Sequence, residues 1–180
     1  MPSYGLTREA HVTPSDLERS KLVAAAAAML LTILPLVLVQ HLPLIDLPNH
    51  IARLVIRADL NADGPLSAFY KYQWLIIPNL AIDILSLPVE GLIDPETLAN
   101  LLAVLSVIGV YGGAISIDRT LNGARWGVSL LTGLIVYHGA LRFGFFNYVI
   151  GLGFAVPLLA AWLRFRPRLS VRPEGSYLIA

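Results

Sequence analysis

Four ionisable side chains that could do chemistry follow directly on a long apolar run, within the stretch HLPLIDLPNHIARLVIRADL at residues 41–60. They are Asp46, His50, Arg53 and Arg57. A carboxylate can take a proton from a hydroxyl group, and guanidinium groups can bind phosphate with two parallel hydrogen bonds. The spacing therefore permits a site for proton transfer and anion binding, and it equally permits ordinary loop polarity.

The same stretch has the pattern of an amphipathic helix near 48–60. Pro48 stands where a first helical turn begins, and Asp46 just before it could cap the helix. One face would be apolar, with the spacing i, i+3, i+4, i+7 at Ile51, Leu54, Val55 and Ala58. Because His50, Arg53 and Arg57 share another face, we expect the helix to lie in the headgroup region of a bilayer.

A second amphipathic helix is predicted near 76–90 in the same loop. Its apolar side would hold Ile77, Leu80, Ala81, Ile84 and Leu85, and its polar side Asn79, Asp83 and Ser86. The surrounding stretch 72–93 is apolar enough to suggest a span, but it is interrupted by Pro78, Asn79, Asp83 and Pro88. We therefore expect it to lie at the membrane interface.

The composition is that of a membrane protein. Apolar residues make up 56% of the 180 and charged residues only 14%, whereas soluble domains are about half apolar and a quarter charged. The net charge of +1 forms no basic patch, so a nucleic-acid partner is not expected. There is no cysteine, and the four histidines lack the HxxxH and HExxH spacings, so neither a metal site nor a cofactor is predicted.

The long apolar runs predict an all-α, polytopic transmembrane bundle with about four spans. At 1.5 Å per residue, about 20 residues cross the hydrocarbon layer. The expected spans are 22–41, 97–117, 126–141 and 143–163, separated by an outer loop at 42–96 and a turn at 118–125. Residues 1–21 and 164–180 would form tails. A cleaved signal peptide is the alternative for the first run, but no A-x-A site follows it.

Loop charges predict the orientation. With a cytoplasmic N-terminus, nine basic residues would lie inside and four outside, which is the distribution that the positive-inside rule selects. The loop at 42–96 would then face outward. A further polar group at the turn before the last span could be functional or could anchor the interface: Tyr137, His138, Arg142 and Asn147.

Four stretches carry a resemblance to a known class: DLPNHIAR (46–53), FYKYQWLIIPNLAIDIL (69–85), PETLANLLAVLSVIGVYGGAISIDRTLNG (95–123) and LRFGFFNYVIGLGFAVPLLA (141–160). In layout and motif they resemble bacterial multi-span proteins of the GT-C superfamily of glycosyltransferases. The resemblance implies the N-terminal part of an inner-membrane enzyme that uses a polyprenyl-phosphate-linked sugar. No second acidic residue stands beside Asp46, unlike the acidic pairs of several members.

Roles for the four residues follow from that resemblance. Asp46 would be the general base on the acceptor hydroxyl, and His50 would orient it from one helical turn away. Arg53 and Arg57 would steady the leaving phosphate. The alternative is a non-catalytic membrane protein or partner subunit, whose outer loop docks on the headgroups of membrane lipid.

Overall fold

The computed structural model describes residues 13–166, and all the regular secondary structure in that range is helical. The helices are α1 (Pro14–Leu38), α2 (Leu47–Asn61), α3 (Ala81–Ser86), α4 (Pro95–Asn122), α5 (Thr132–Val136), α6 (Gly139–Arg142) and α7 (Phe146–Phe165), with short 3-10 turns at Pro65–Ala68, Leu87–Val89, Gly123–Arg125 and Val128–Leu131. Three of them, α1, α4 and α7, are long and apolar enough to cross a membrane. The prediction of an all-α bundle of membrane-spanning helices is confirmed. The predicted tail 167–180 and most of the tail 1–21 lie outside the described residues.

Local capping explains where two of the long helices begin. The backbone N–H of Asp16 donates to the hydroxyl of Thr13, and the N–H of Thr13 donates back to the Asp16 carboxylate, which is a capping box. Helix α1 therefore starts eight residues before the predicted span at 22–41. At α4, the carboxylate of Asp94 accepts from the backbone N–H groups of Glu96 and Thr97, at 3.1 and 3.0 Å.

Helices α4 and α7 run parallel in close contact through small residues. A Cβ added at Gly109 would lie 2.2 Å from the carbonyl oxygen of Gly153, and one at Gly113 would lie 2.8 Å from the nitrogen of Pro157. The contacting residues follow the same order along both helices, so the two helices are parallel. Such small residues let membrane helices approach to backbone contact.

Helix α1 is antiparallel to α4. At one end of the bundle, Asn100 donates to the carbonyl of Gln40 at 2.8 Å. At the other end, Arg119 pairs with Glu18 at 3.0 Å. The C-terminus of α1 thus meets the N-terminus of α4.

The predicted third span, 126–141, is not one helix. It consists of a 3-10 turn, α5 and α6, because the His138 side chain accepts from the N–H of Ala140 and starts a new helix there. The segment still connects the two ends of the bundle. Trp126 donates to Glu18 at 2.7 Å at one end, and the carbonyl of Arg142 accepts from the N–H of Ile45 at 3.3 Å at the other.

The two ends differ in charge. The end formed by residues 14–21, 116–127 and 160–166, which we call the basic end, has six basic and three acidic residues and so a net charge of +3. The end formed by 40–96 and 138–147, the acidic end, has four basic and seven acidic residues and a net charge of −3. Most of the buried apolar cluster lies at the acidic end, where α2 and α3 pack on α4 and α7.

The second loop helix is shorter than the predicted helix at 76–90. Helix α3 begins only at Ala81, because Asn79 has a positive φ of 69° that cannot continue a helix backwards. Both Ile82 and Asp83 are fully buried, so α3 packs into the protein along its polar side as well.

Candidate site around Asp46

The polar face of α2 is turned toward α3 instead of facing headgroups as predicted. His50 and Arg57 are buried, the latter with 3% of its surface exposed, and the Arg53 side chain keeps 36%. On the apolar face Leu54 is buried but Val55 is exposed. Helix α2 therefore packs on the protein through both faces. Its apolar face buries Leu54, and its basic residues bind acidic and polar partners on α3 and on the 3-10 turn after it.

Asp46 occupies the position before α2, but its side chain does not cap the helix. Instead, Oδ1 accepts from the Asn49 side-chain amide at 2.8 Å, and Oδ2 lies 3.4 Å from Nε2 of His50. The side chain is 42% exposed. Asp46 is thus a carboxylate that is hydrogen-bonded to Asn49, close to His50 and still open to solvent.

The backbone at Asp46 is anchored to the turn between α6 and α7. Its N–H donates to the carbonyl of Phe143 at 3.1 Å. Gly144 follows with a φ of 77°, and a Cβ there would lie 2.7 Å from the Asp46 nitrogen. Only glycine suits a left-handed position pressed against another backbone. The backbone of Arg142 is bonded one residue earlier, because its carbonyl accepts from the N–H of Ile45 at 3.3 Å.

His50 connects Asp46 to Arg53. Its Nδ1 lies 3.4 Å from Nη2 of Arg53, which can only donate, so Nδ1 accepts and the proton resides on Nε2, facing Asp46. Burial lowers the pKa of His50 below its ordinary value of 6.5, and the positive charge of Arg53 lowers it further. The imidazole is therefore neutral at neutral pH, and its Nε2 lies 3.4 Å from the Asp46 carboxylate.

Arg53 is paired with Asp83, which was predicted only to lie on the polar side of a surface helix. Its Nη2 donates to Oδ2 of Asp83 at 2.5 Å, across 30 residues of sequence. Next to this pair, Asn147 accepts from the N–H of Ile82 at 3.0 Å and joins α7 to α3. Within residues 13–166, three buried atoms here have no hydrogen-bond partner: Arg53 Nε, Asp83 Oδ1 and Asn147 Nδ2.

Arg57 is fully engaged inside the protein. It donates to the carbonyl of Asp83 at 3.0 Å and to the hydroxyl of Ser86 at 2.6 Å, and it pairs with Glu90 at 3.1 Å. Its guanidinium carbon also lies 5.9 Å from the ring centres of Tyr72 and Trp74. This arrangement does not support the predicted phosphate-binding role of Arg57, because every nitrogen of its guanidinium already has a partner.

The net charge of this network also disfavours the binding of a phosphate. Three carboxylates, Asp46, Asp83 and Glu90, stand against the two arginines, with His50 neutral, so the cluster carries a net charge of −1. Arg53 keeps exposed surface but gives its closest hydrogen bond to Asp83. A phosphate arriving here would meet arginines whose charge is already balanced.

Two residues of this network, Asn49 and Asp83, were not among the site residues predicted from the sequence, whereas Asn147 was predicted only as part of a separate polar group. The role of Asp83 could have been predicted, because an acidic residue in a second loop helix is a plausible ion-pair partner for the arginines of α2. In the described part of the chain, residues 13–166, no group of three or more histidine, aspartate or glutamate side chains could hold a metal ion.

No family model, curated protein or solved structure matches this chain. A function for it must therefore come from its own residues and their geometry.

Proposed function

We propose that this chain is part of a GT-C-like glycosyltransferase that uses a lipid-linked sugar donor, with Asp46 as the general base. The observation that carries the proposal is the state of Asp46. Its carboxylate is exposed, forms no ion pair with an arginine or lysine of residues 13–166, accepts from Asn49 and lies 3.4 Å from the imidazole of His50. Asp83 and Glu90, by contrast, are neutralised by arginines.

In the proposed reaction, an acceptor hydroxyl gives its proton to the Asp46 carboxylate. The acceptor oxygen bonds to the anomeric carbon of the donor, and the bond from that carbon to the lipid phosphate breaks, leaving its electron pair on the phosphate oxygen. Proton transfer of this kind contributes about 10²- to 10⁴-fold. The amide of Asn49 orients the carboxylate, and the Nε2–H of His50, 3.4 Å away, can move into hydrogen-bond contact with it during the reaction.

The leaving phosphate needs a cation other than Arg57. Arg142 is exposed, has no ion-pair partner among residues 13–166, and is the last residue of α6, where its carbonyl accepts from the N–H of Ile45. Arg53 can add its exposed edge. An arginine free of carboxylates is the better phosphate ligand, since its charge is not already balanced.

The outer loop that begins with Asp46 has apolar surface that suits a lipid-borne substrate. The stretch 69–77, which lies outside the helices, exposes several large apolar side chains, among them Trp74, Leu75 and Ile76. A mainly apolar cavity of about 290 Å³ opens beside Arg57 and Glu90, with Leu54 and Leu98 in its wall. We place the protein in the bacterial inner membrane with its N-terminus in the cytoplasm, since the basic end then lies inside, as the positive-inside rule requires.

The experiment uses the intact protein in liposomes with a panel of polyprenyl-phosphate-linked sugars and follows the release of polyprenyl phosphate. Release that depends on the protein and on an acceptor is expected for at least one sugar. A panel that covers the common hexoses and pentoses without any release would contradict the proposal.

The second candidate is a non-catalytic membrane protein or partner subunit whose outer loop docks on lipid. The exposed apolar side chains of 69–77 favour it, because such a patch is costly in water and typical of a membrane contact. A spin label at Ile76→Cys should be relaxed mainly by oxygen dissolved in the bilayer. A spin label at Asp63→Cys should be relaxed mainly by a water-soluble paramagnetic reagent. Lipid contact at 76 in a protein without transfer activity would favour this second function.

A further inference from the structure

At the basic end, α4 and α7 leave an open cavity between their last turns. Its volume is about 510 Å³, and its lining is Gly112, Ile115, Ser116, Arg119, Thr120 and Arg164. The lining includes two arginines and two hydroxyl side chains, and no acidic residue. The cavity therefore offers donors and positive charge to whatever enters it.

The cavity continues into an apolar groove along the contact between the same two helices. This groove has a volume of about 330 Å³ and shares Gly112, Ser116 and Arg164 with the polar cavity. Farther along, its walls are glycine, alanine, proline and isoleucine residues. A site that is cationic at the membrane surface and apolar toward the membrane centre is complementary to an anionic phospholipid, which has a charged headgroup and apolar acyl chains.

Arg164 keeps its charge available for a ligand, and Arg119 keeps exposed guanidinium surface although it pairs with Glu18. Arg119 gives one nitrogen to Glu18 and lies 5.6 Å over the Trp126 ring, and its side chain is still 46% exposed. Arg164 is exposed, and its one described contact is the Phe165 ring at 5.8 Å. Guanidinium groups bind phosphate oxygens in pairs, and they also offset the partial negative charge at the C-termini of α4 and α7.

We propose that this groove binds one anionic phospholipid. Its phosphate would lie between Arg119 and Arg164, near the hydroxyl of Ser116, and one acyl chain would follow the contact between α4 and α7. Charge complementarity selects the occupant, because the basic end carries a net charge of +3 and its groove contains no carboxylate. The site lies at the opposite end of the bundle from Asp46 and does not depend on the proposed transferase activity.

Filling the groove provides the first test. A Cβ at Gly112 would meet no atom within 4 Å, so Gly112→Leu places a side chain in the groove without disturbing the packing of the helices. Gly151→Leu is the matched control, since Gly151 is equally open, lies on α7 and is outside the groove lining. Native mass spectrometry of the intact protein, with phosphatidylglycerol or phosphatidylcholine of identical chains, counts the retained lipid.

The expected result is one phosphatidylglycerol retained by the parent protein and by Gly151→Leu, and lost in Gly112→Leu. Arg164→Gln should weaken the binding roughly tenfold, as the loss of a charge-assisted hydrogen bond does. Arg166→Gln removes the same charge outside the groove and should leave the binding unchanged. Equal retention of the two lipids, or phosphatidylglycerol retained in Gly112→Leu, would overturn the proposal.

Discussion

Arg53 of α2 donates a 2.5 Å hydrogen bond to the carboxylate of Asp83 on α3, and Asp83 is completely buried. A buried carboxylate without a counter-charge is strongly unfavourable, so this pair decides how the loop folds on the bundle. It turns the basic face of α2 inward and leaves Asp46, at the start of the same helix, as the exposed charge.

Removing the charge of Asp83 should destabilise the protein. Asp83→Asn leaves Arg53 half-buried without a partner charge, and we expect the free energy of unfolding to fall by about 2 kcal/mol, between the values for surface and buried pairs. Denaturation by SDS in mixed micelles measures the change. Asp63→Asn is the control, since Asp63 is exposed and its φ of 54° suits asparagine. If the two variants unfold alike, the pair does not hold the loop.

A side chain at Gly144 should displace Asp46. Gly144→Ala puts a Cβ 2.7 Å from the Asp46 nitrogen, whereas Gly91→Ala has nearly the same φ, 76°, and no atom within 4 Å. The left-handed conformation alone costs about 1–2 kcal/mol in both variants. We therefore expect Gly144→Ala to lose more stability than Gly91→Ala and to lose transfer activity as well. Equal losses would mean that the turn does not position Asp46.

The stability should depend on pH through His50. Its pKa in the folded state lies below the ordinary 6.5, so the unfolded chain takes up the proton first as the pH falls. The contribution of the neutral imidazole is complete above pH 6.5 and is lost as the pH falls toward the lower folded pKa. The melting temperature should thus rise with pH in this window, and His50→Gln should flatten the rise. An unchanged slope in the variant would contradict the buried, neutral state of His50.

The orientation can be tested by labelling, because the chain contains no cysteine. Single cysteines at 63, 122 and 170 should react with an impermeant reagent from outside only at 63, since positions 63 and 122 lie at opposite ends of the bundle. Position 170 lies outside the described residues and is expected inside from the basic residues around it. Labelling of 170 from outside would require an additional crossing.

The sequence was informative where a feature depends on neighbours along the chain. Helix α2 lies within one residue of the prediction, since Pro48 at its start and its apolar spacing are local signals. The long apolar runs likewise predicted α1, α4 and α7. The partner of a polar helix face could not be predicted in this way. Arg53 and Asp83 are 30 positions apart, and their pairing leaves no periodic pattern in the sequence. The break in 126–141 also escaped prediction although its signal is local, because the His138 side chain accepts from the N–H of Ala140 and histidine is not among the residues preferred at this position.

The central claim is that Asp46 takes a proton from the acceptor. Asp46→Asn keeps the size of the side chain and one oxygen, which can still accept from Asn49, and it removes the basicity. The decisive measurement is the rate of sugar transfer from a lipid-linked donor by the intact protein, for this variant and for Asp63→Asn at equal membrane insertion. The account predicts a fall of about 10²- to 10⁴-fold for Asp46→Asn and an unchanged rate for Asp63→Asn. An undiminished rate in Asp46→Asn would contradict it.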